Sequence, residues 1–217
     1  MIQLDLLSLR FGRDLRKTPP LGPLSLMASA RRAGFECRLI DGQFASELGP
    51  FRAESLAELL TSLDAPVLGI SLFNDAIPVL IAALDLAGKS LTDRRILVGG
   101  PGVVGIAAPL LERLPQVEAV VVGEGETALS QLLANPRGAV GRAGVFQRDE
   151  QGRIFGHGRS PHENLDALAE PDWNWCRGKP YARIPFSTMR GCPYDCSFCE
   201  VTAFMGRDVS KRRLASA

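Results

Sequence analysis

Across residues 4–134 the chain alternates five short apolar runs with five stretches of helical periodicity. Residues 67–72 and 117–122 are near-continuous apolar runs, the pattern of central parallel strands buried on both faces. Residues 4–9, 35–40 and 95–98 read as three further strands. Helices are predicted over 24–33, 53–63, 76–87, 107–114 and 127–134, with Leu56, Leu59, Leu60 and Leu63 on one face of the second. Gly34 sits where a helix C-cap belongs. Five strands alternating with five helices predict an α/β domain with a doubly wound, parallel, five-stranded sheet and right-handed crossovers. Such a sheet binds ligands beyond the carboxyl ends of its strands. The breaks Gly99-Gly100-Pro101-Gly102 and Gly123-Glu124-Gly125-Glu126 therefore lie where a ligand would sit, although a tight turn also explains any one of these glycines.

After Asn135 the pattern changes. Residues 144–148 and 153–156, joined through Asp149-Glu150-Gln151-Gly152, read as a hairpin. Residues 160–175 form a connector, and 183–189 is one more strand candidate. The expected division is an α/β domain over 1–136, a hairpin and linker over 137–182, and a third segment over 183–217.

Lys plus Arg total 25 against 24 Asp plus Glu, a net charge of +1 that argues against a dedicated nucleic-acid binder. The amino terminus lacks the basic, apolar and small-residue regions of an export signal. No apolar stretch is long enough for a membrane span, since the longest, 77–87, already contains Asp85. A cytoplasmic protein is expected. The turn after the first strand holds Arg10-Phe11-Gly12-Arg13-Asp14, which fails the Gly-x-Gly-x-x-Gly dinucleotide pattern. A Gly-x4-Gly-Lys-Ser/Thr phosphate loop is absent as well. Asp75 after the third strand could suggest a phosphorelay receiver, but the acidic pair such a domain needs after the first strand is missing.

The five cysteines are Cys37, Cys176, Cys192, Cys196 and Cys199. An odd number without an export signal is poor material for a disulfide framework. Three of them form Cys-x3-Cys-x2-Cys in Arg190-Gly191-Cys192-Pro193-Tyr194-Asp195-Cys196-Ser197-Phe198-Cys199. Three thiolates on one tight loop can reach three irons of a cubane cluster and leave the fourth iron open. Zinc held by the same thiols with Cys176 as fourth ligand is the competing reading. Cys37, on a strand, reads as a small buried hydrophobe, and Cys176, beside Trp173 and Trp175, as packing. The basic run Gly206–Arg213 reads as a solvated end.

Two stretches of the chain carry a family resemblance. Pro19-Pro20-Leu21-Gly22-Pro23-Leu24, Ala33-Gly34-Phe35-Glu36-Cys37, Gly69-Ile70-Ser71, Val98-Gly99-Gly100-Pro101 and Val122-Gly123-Glu124-Gly125-Glu126 resemble, in order and spacing, cobalamin-binding, Rossmann-like domains that precede radical S-adenosylmethionine domains. The cysteine motif, with Phe198 before its third cysteine and a strand candidate ahead of it, resembles the cluster loop of radical S-adenosylmethionine enzymes. The resemblance implies that the corrinoid's nucleotide tail runs beside the third, fourth and fifth strands and approaches Ser71, Gly99, Gly100, Gly123 and Glu124. It implies a [4Fe–4S] cluster on Cys192, Cys196 and Cys199, with Phe198 beside it and S-adenosylmethionine on the open iron. An electron donor such as flavodoxin or ferredoxin would serve that cluster. The Asp-x-His-x-x-Gly stretch that supplies a cobalt ligand is missing, and His157 and His162 both lie beyond the domain, so cobalamin is expected without a protein histidine on cobalt.

The implied activity is reductive cleavage of S-adenosylmethionine and radical chemistry, such as methyl transfer to an unactivated carbon. Residues 183–217 have room for about one βα unit. The expectation is therefore the first strand and cluster loop of an incomplete radical S-adenosylmethionine barrel. The alternative is a non-catalytic corrinoid-binding module with a remnant cluster loop.

Overall fold

A computed structural model describes residues 1–10, 17–44 and 52–213. The strands β1 (Leu4–Leu9), β2 (Cys37–Asp41), β3 (Val67–Leu72), β4 (Arg95–Gly99) and β5 (Val117–Val121) are parallel, in the order β2-β1-β3-β4-β5. Helices α1 (Leu21–Arg32), α2 (Ala53–Ser62), α3 (Ile77–Ala87), α4 (Ala107–Arg113) and α5 (Glu126–Ala134) connect them. Leu7, Leu9, Leu68, Ile70 and Val98 pack with α2, α3 and α4 on one face. Leu4, Leu6, Leu39, Leu97 and Val121 pack with α1 and α5 on the other. Burial on both faces accounts for the largely apolar character of β3, and β1 is buried along its whole length although it carries Asp5 and Ser8.

Local chemistry sets the element limits. α1 starts earlier than its periodicity indicates, because Pro23 in its first turn forfeits no intrahelical hydrogen bond. Gly34 leaves the helix at φ 91°, a left-handed conformation that suits glycine. Phe35 belongs to this exit rather than to β2, since its N–H donates to the Ala30 carbonyl. The turn expected at Arg10-Phe11-Gly12 lies, beyond Arg10, outside the described residues.

Two expectations need correction. The sheet has seven strands, not five: β6 (Val145–Arg148) and β7 (Ile154–Phe155) are the expected hairpin, but β6 pairs antiparallel with β5. Without the hairpin, β5 would present an unpaired row of backbone groups, and the hairpin covers it. The strand expected over 183–189 is confined to β8 (Met189–Arg190), which pairs antiparallel with β9 (Ser210–Lys211) in a separate two-stranded sheet. A strand persists only where a neighbour receives its backbone hydrogen bonds. Ile184 and Phe186, lacking that neighbour among the described residues, are 58% and 66% exposed. A short helix, α6 (Val201–Met205), lies between β8 and β9. No helix among the described residues is long and apolar enough to cross a membrane.

Candidate functional site at the carboxyl edge of the sheet

The order β2-β1-β3 reverses direction between β1 and β3, where open α/β sheets take their ligands. A cavity of about 440 Å³ lies there, lined by β1, β3, β4 and β5 and by the amino end of α1. Strand periodicity shapes its floor. Alternate residues Gly69 and Ser71 on β3, and Leu97 and Gly99 on β4, line it between α1 and α5. Three of these four are small, which opens space that larger side chains would fill.

Ser71, Gly99, Gly100, Gly123 and Glu124 all line the cavity, so the structure brings the expected corrinoid-contacting residues together. Two of the glycines are also required by the protein's own backbone. A Cβ on Gly100, at φ 94°, would stand 2.7 Å from the backbone nitrogen of Leu72. One on Gly123, at φ 93°, would stand 2.9 Å from the nitrogen of Ser160, which bridges to it.

A buried charge cluster closes one side. Glu124 follows β5, and Glu126 opens α5, where the helix N-terminus favours a carboxylate. Arg190, on β8, spans both: Nη1 donates to Glu124 Oε2 at 2.9 Å, and Nη2 donates to Glu126 Oε1 at 2.6 Å. Ser25 of α1 donates its hydroxyl to the same Glu126 oxygen at 2.8 Å. Glu124 also receives the Glu163 N–H at 2.9 Å, and its Oε1 lies 2.7 Å from His162 Nδ1. Burial would raise the Glu126 carboxyl, but the Arg190 hydrogen bond and charge, with Ser25, outweigh it and hold it below the usual range. Burial likewise opposes the Arg190 charge, and the two carboxylates more than offset it, so the guanidinium stays protonated.

The cysteine loop follows directly. Cys192 N–H donates to the Gly206 carbonyl at 3.1 Å and Cys199 N–H to that of Cys196 at 3.0 Å, folding residues 192–206 into a closed excursion. Cys192 and Cys199 are half-buried and Cys196 is exposed. Phe198 is 89% exposed. Among the described residues no three His, Cys, Asp or Glu side chains gather closely enough to hold one metal ion. Cys176, the fourth ligand of the zinc reading, is buried with Trp173 and Trp175 in the core. Pro185, Ser187, Phe204 and Met205 of the same segment line the cavity, so the cysteine-bearing segment covers the sheet's binding edge.

A model of the B12 binding domain matches residues 14–133, more than half of the chain. The chain belongs to the B12-binding domain family. It is 32% identical over 211 residues to the hopanoid C-3 methylase of Methylococcus capsulatus, covering 92% of this chain and 39% of that protein. It is 27% identical over 198 residues to an uncharacterized methyltransferase of Pyrococcus horikoshii, covering 87% of this chain and 42% of that protein. The chain thus spans about two-fifths of the length of these relatives. The cobalamin-dependent S-adenosylmethionine radical enzyme OxsB, solved with aqua-cobalamin and S-adenosylmethionine bound, shares the fold with a TM-score of 0.75. Sequence identity to it is 20%, and the match covers 100% of this chain and 30% of OxsB.

The B12-binding domain and its cavity suit one another: the space runs along small residues at the carboxyl ends of three strands, with predominantly apolar walls and few polar groups. Neither histidine lines it, as His157 is exposed and His162 faces Glu124. Sequence reasoning missed Gly69 and Leu97 as lining residues, which strand alternation on either side of Ser71 and Gly99 could have supplied. It also missed Arg190 and His162, and the tie between Arg190 and Glu126, which no spacing signals.

Proposed function

We propose that this chain is the cobalamin- and cluster-binding part of a radical S-adenosylmethionine methyltransferase. The observation that carries the reading is the placement of the Cys192–Cys199 loop on the segment that covers the cavity at the carboxyl edge of the sheet. Gly69, Ser71 and Gly99 would admit the nucleotide tail of the corrinoid, and Gly100, Gly123 and Glu124 would flank it. Cys192, Cys196 and Cys199 would hold a [4Fe–4S] cluster, with S-adenosylmethionine at its open iron and Phe198 alongside. When bound, the cluster supplies the electron for sulfonium cleavage and the corrinoid supplies a methyl carrier. The protein's part is to orient these groups and to exclude water from the space between them. Residues 1–136 would carry the corrinoid, 137–182 complete the sheet and link, and 183–217 present the cluster. A one-electron donor of the flavodoxin or ferredoxin type would complete the system.

Anaerobic reconstitution with iron and sulfide tests the cluster. Iron content and visible absorption should collapse when any one of Cys192, Cys196 or Cys199 becomes Ala, and equal iron in the triple variant would refute the assignment. Hydroxocobalamin should bind the full chain, and the cobalt(II) form should give an electron paramagnetic resonance spectrum without nitrogen superhyperfine splitting. Corrinoid binding without a cluster would favour the non-catalytic module instead.

A further inference from the structure

We infer that Arg190 is a positioning residue that docks the cysteine loop on the sheet and couples its placement to occupancy of the cavity. Arg190 stands two positions before Cys192, whereas its partners Glu124 and Glu126 stand where β5 gives way to α5. Its side chain is 16% exposed and theirs are 7% and 5% exposed. A guanidinium is suited to this place because its planar fork reaches two carboxylates at once, which a lysine ammonium does not do with fixed geometry.

The segment's other polar ties involve an exposed side chain or a backbone carbonyl. Arg212 pairs with Glu170, which is 66% exposed, and Asn74 Nδ2 meets Glu200 Oε2 at 3.2 Å on the surface. Among the described residues, the buried ion pairs joining the cysteine segment to the sheet are those of Arg190. Releasing them would leave two carboxylates without their buried counter-charge, so undocking the loop carries a definite cost. Glu124, Glu126 and Arg190 all line the cavity, so a molecule filling it would touch the clamp. Any ligand that favours the docked state is bound more tightly by it, to the same factor. The coupling rests on the reading of the cavity as a corrinoid site, whereas the clamp does not.

Hydrogen exchange of the full chain, measured with and without hydroxocobalamin, tests both. In Arg190→Gln, exchange over residues 191–206 should rise about ten-fold or more while β1, β3 and β4 keep their protection. Arg190→Lys should recover part of the difference. Hydroxocobalamin should slow exchange over 191–206 in the unaltered chain, and its affinity should fall in Arg190→Gln. If Arg190→Gln does not fold, Glu126→Gln, which removes one arm and leaves Glu124 in place, is measured instead. Unchanged loop exchange in the variant overturns the clamp. Binding that leaves the loop's exchange untouched overturns the coupling alone. Absence of hydroxocobalamin binding to the unaltered chain overturns the corrinoid reading and the coupling, and the ligand-free comparison still decides the clamp.

Discussion

The two ends of the sheet carry the same chemistry for different purposes. At the amino end, Asp5 of β1 is wholly buried and accepts from Arg38 Nε at 2.7 Å and Nη2 at 2.9 Å, and from the Ala65 N–H at 3.1 Å. Arg38 lies on the adjacent strand, in register with Asp5. At the carboxyl end, Arg190 reaches Glu124 and Glu126 from a segment 66 and 64 residues further along the chain. Cysteines accompany both clusters: Cys37 precedes Arg38, and Cys192 follows Arg190. The first cluster closes a core edge, and its cysteine is buried. The second fastens a separate segment over a cavity, and its cysteines remain accessible. An arginine–carboxylate pair thus stabilises the fold where its partners are neighbours in the sheet, and sets a geometry where they are not.

Thiol reactivity gives the largest contrast. Burial pushes the Cys37 thiol up to about 12, only partly opposed by the Arg31 charge. At pH 8 roughly one Cys37 in ten thousand is then thiolate, so iodoacetamide should leave it unmodified in the native protein. Exposed Cys196 should be alkylated within the same reaction, as peptide mass mapping would show. Rapid native labelling of Cys37 would mean that the amino end is open too.

Stability should separate the clusters next. Arg38→Ala leaves the buried Asp5 carboxylate with only the Ala65 N–H and should cost about 3 kcal/mol, the low end for a broken buried pair because Arg38 is partly exposed. Denaturant unfolding should register that loss in the global transition. Arg190→Gln should shift the same transition by less, because its effect falls on the cysteine segment. Equal global losses would erase the distinction.

Acid should act on the carboxyl end in one direction. Because Arg190 holds the native Glu126 carboxyl below its ordinary value of 4.5, this stabilisation is complete above that value and is lost as pH falls through the lowered one. Limited proteolysis over residues 191–206 should therefore be constant between about pH 8 and 5 in this respect and accelerate in more acidic solution. Glu124, Glu163 and His162 border the same cluster, and release of the loop already near neutral pH would remove Glu126 as its cause. Smallest of all, Phe198→Ala at its exposed position should change stability by less than about 0.5 kcal/mol. A larger loss would mean that Phe198 is packed in solution.

The five βα units, most of their limits, the turn glycines and the cysteine spacing were legible in the residues alone. Each is a local property: apolar period reports how many faces of an element are buried, and a left-handed turn such as Gly34 requires glycine wherever it occurs. What period does not report is the neighbour. The pattern of residues 145–148 was right for a strand, yet its pairing with β5, which turns a five-stranded sheet into one of seven, depends on an edge formed elsewhere in the chain. Residues 183–189 had the pattern of a strand but shrink to Met189–Arg190, since backbone hydrogen bonding needs a partner as well as a propensity. Ser71 and Gly99 could be placed at the site from sequence, but the cavity they share with Gly69 exists only because β3 and β4 lie side by side in register. Arg190 stood in plain view before the cysteines. Its ties to Glu124 and Glu126 were decided by tertiary structure alone, because a charge pairs with whatever the fold brings within reach, and no spacing along the chain encodes that meeting.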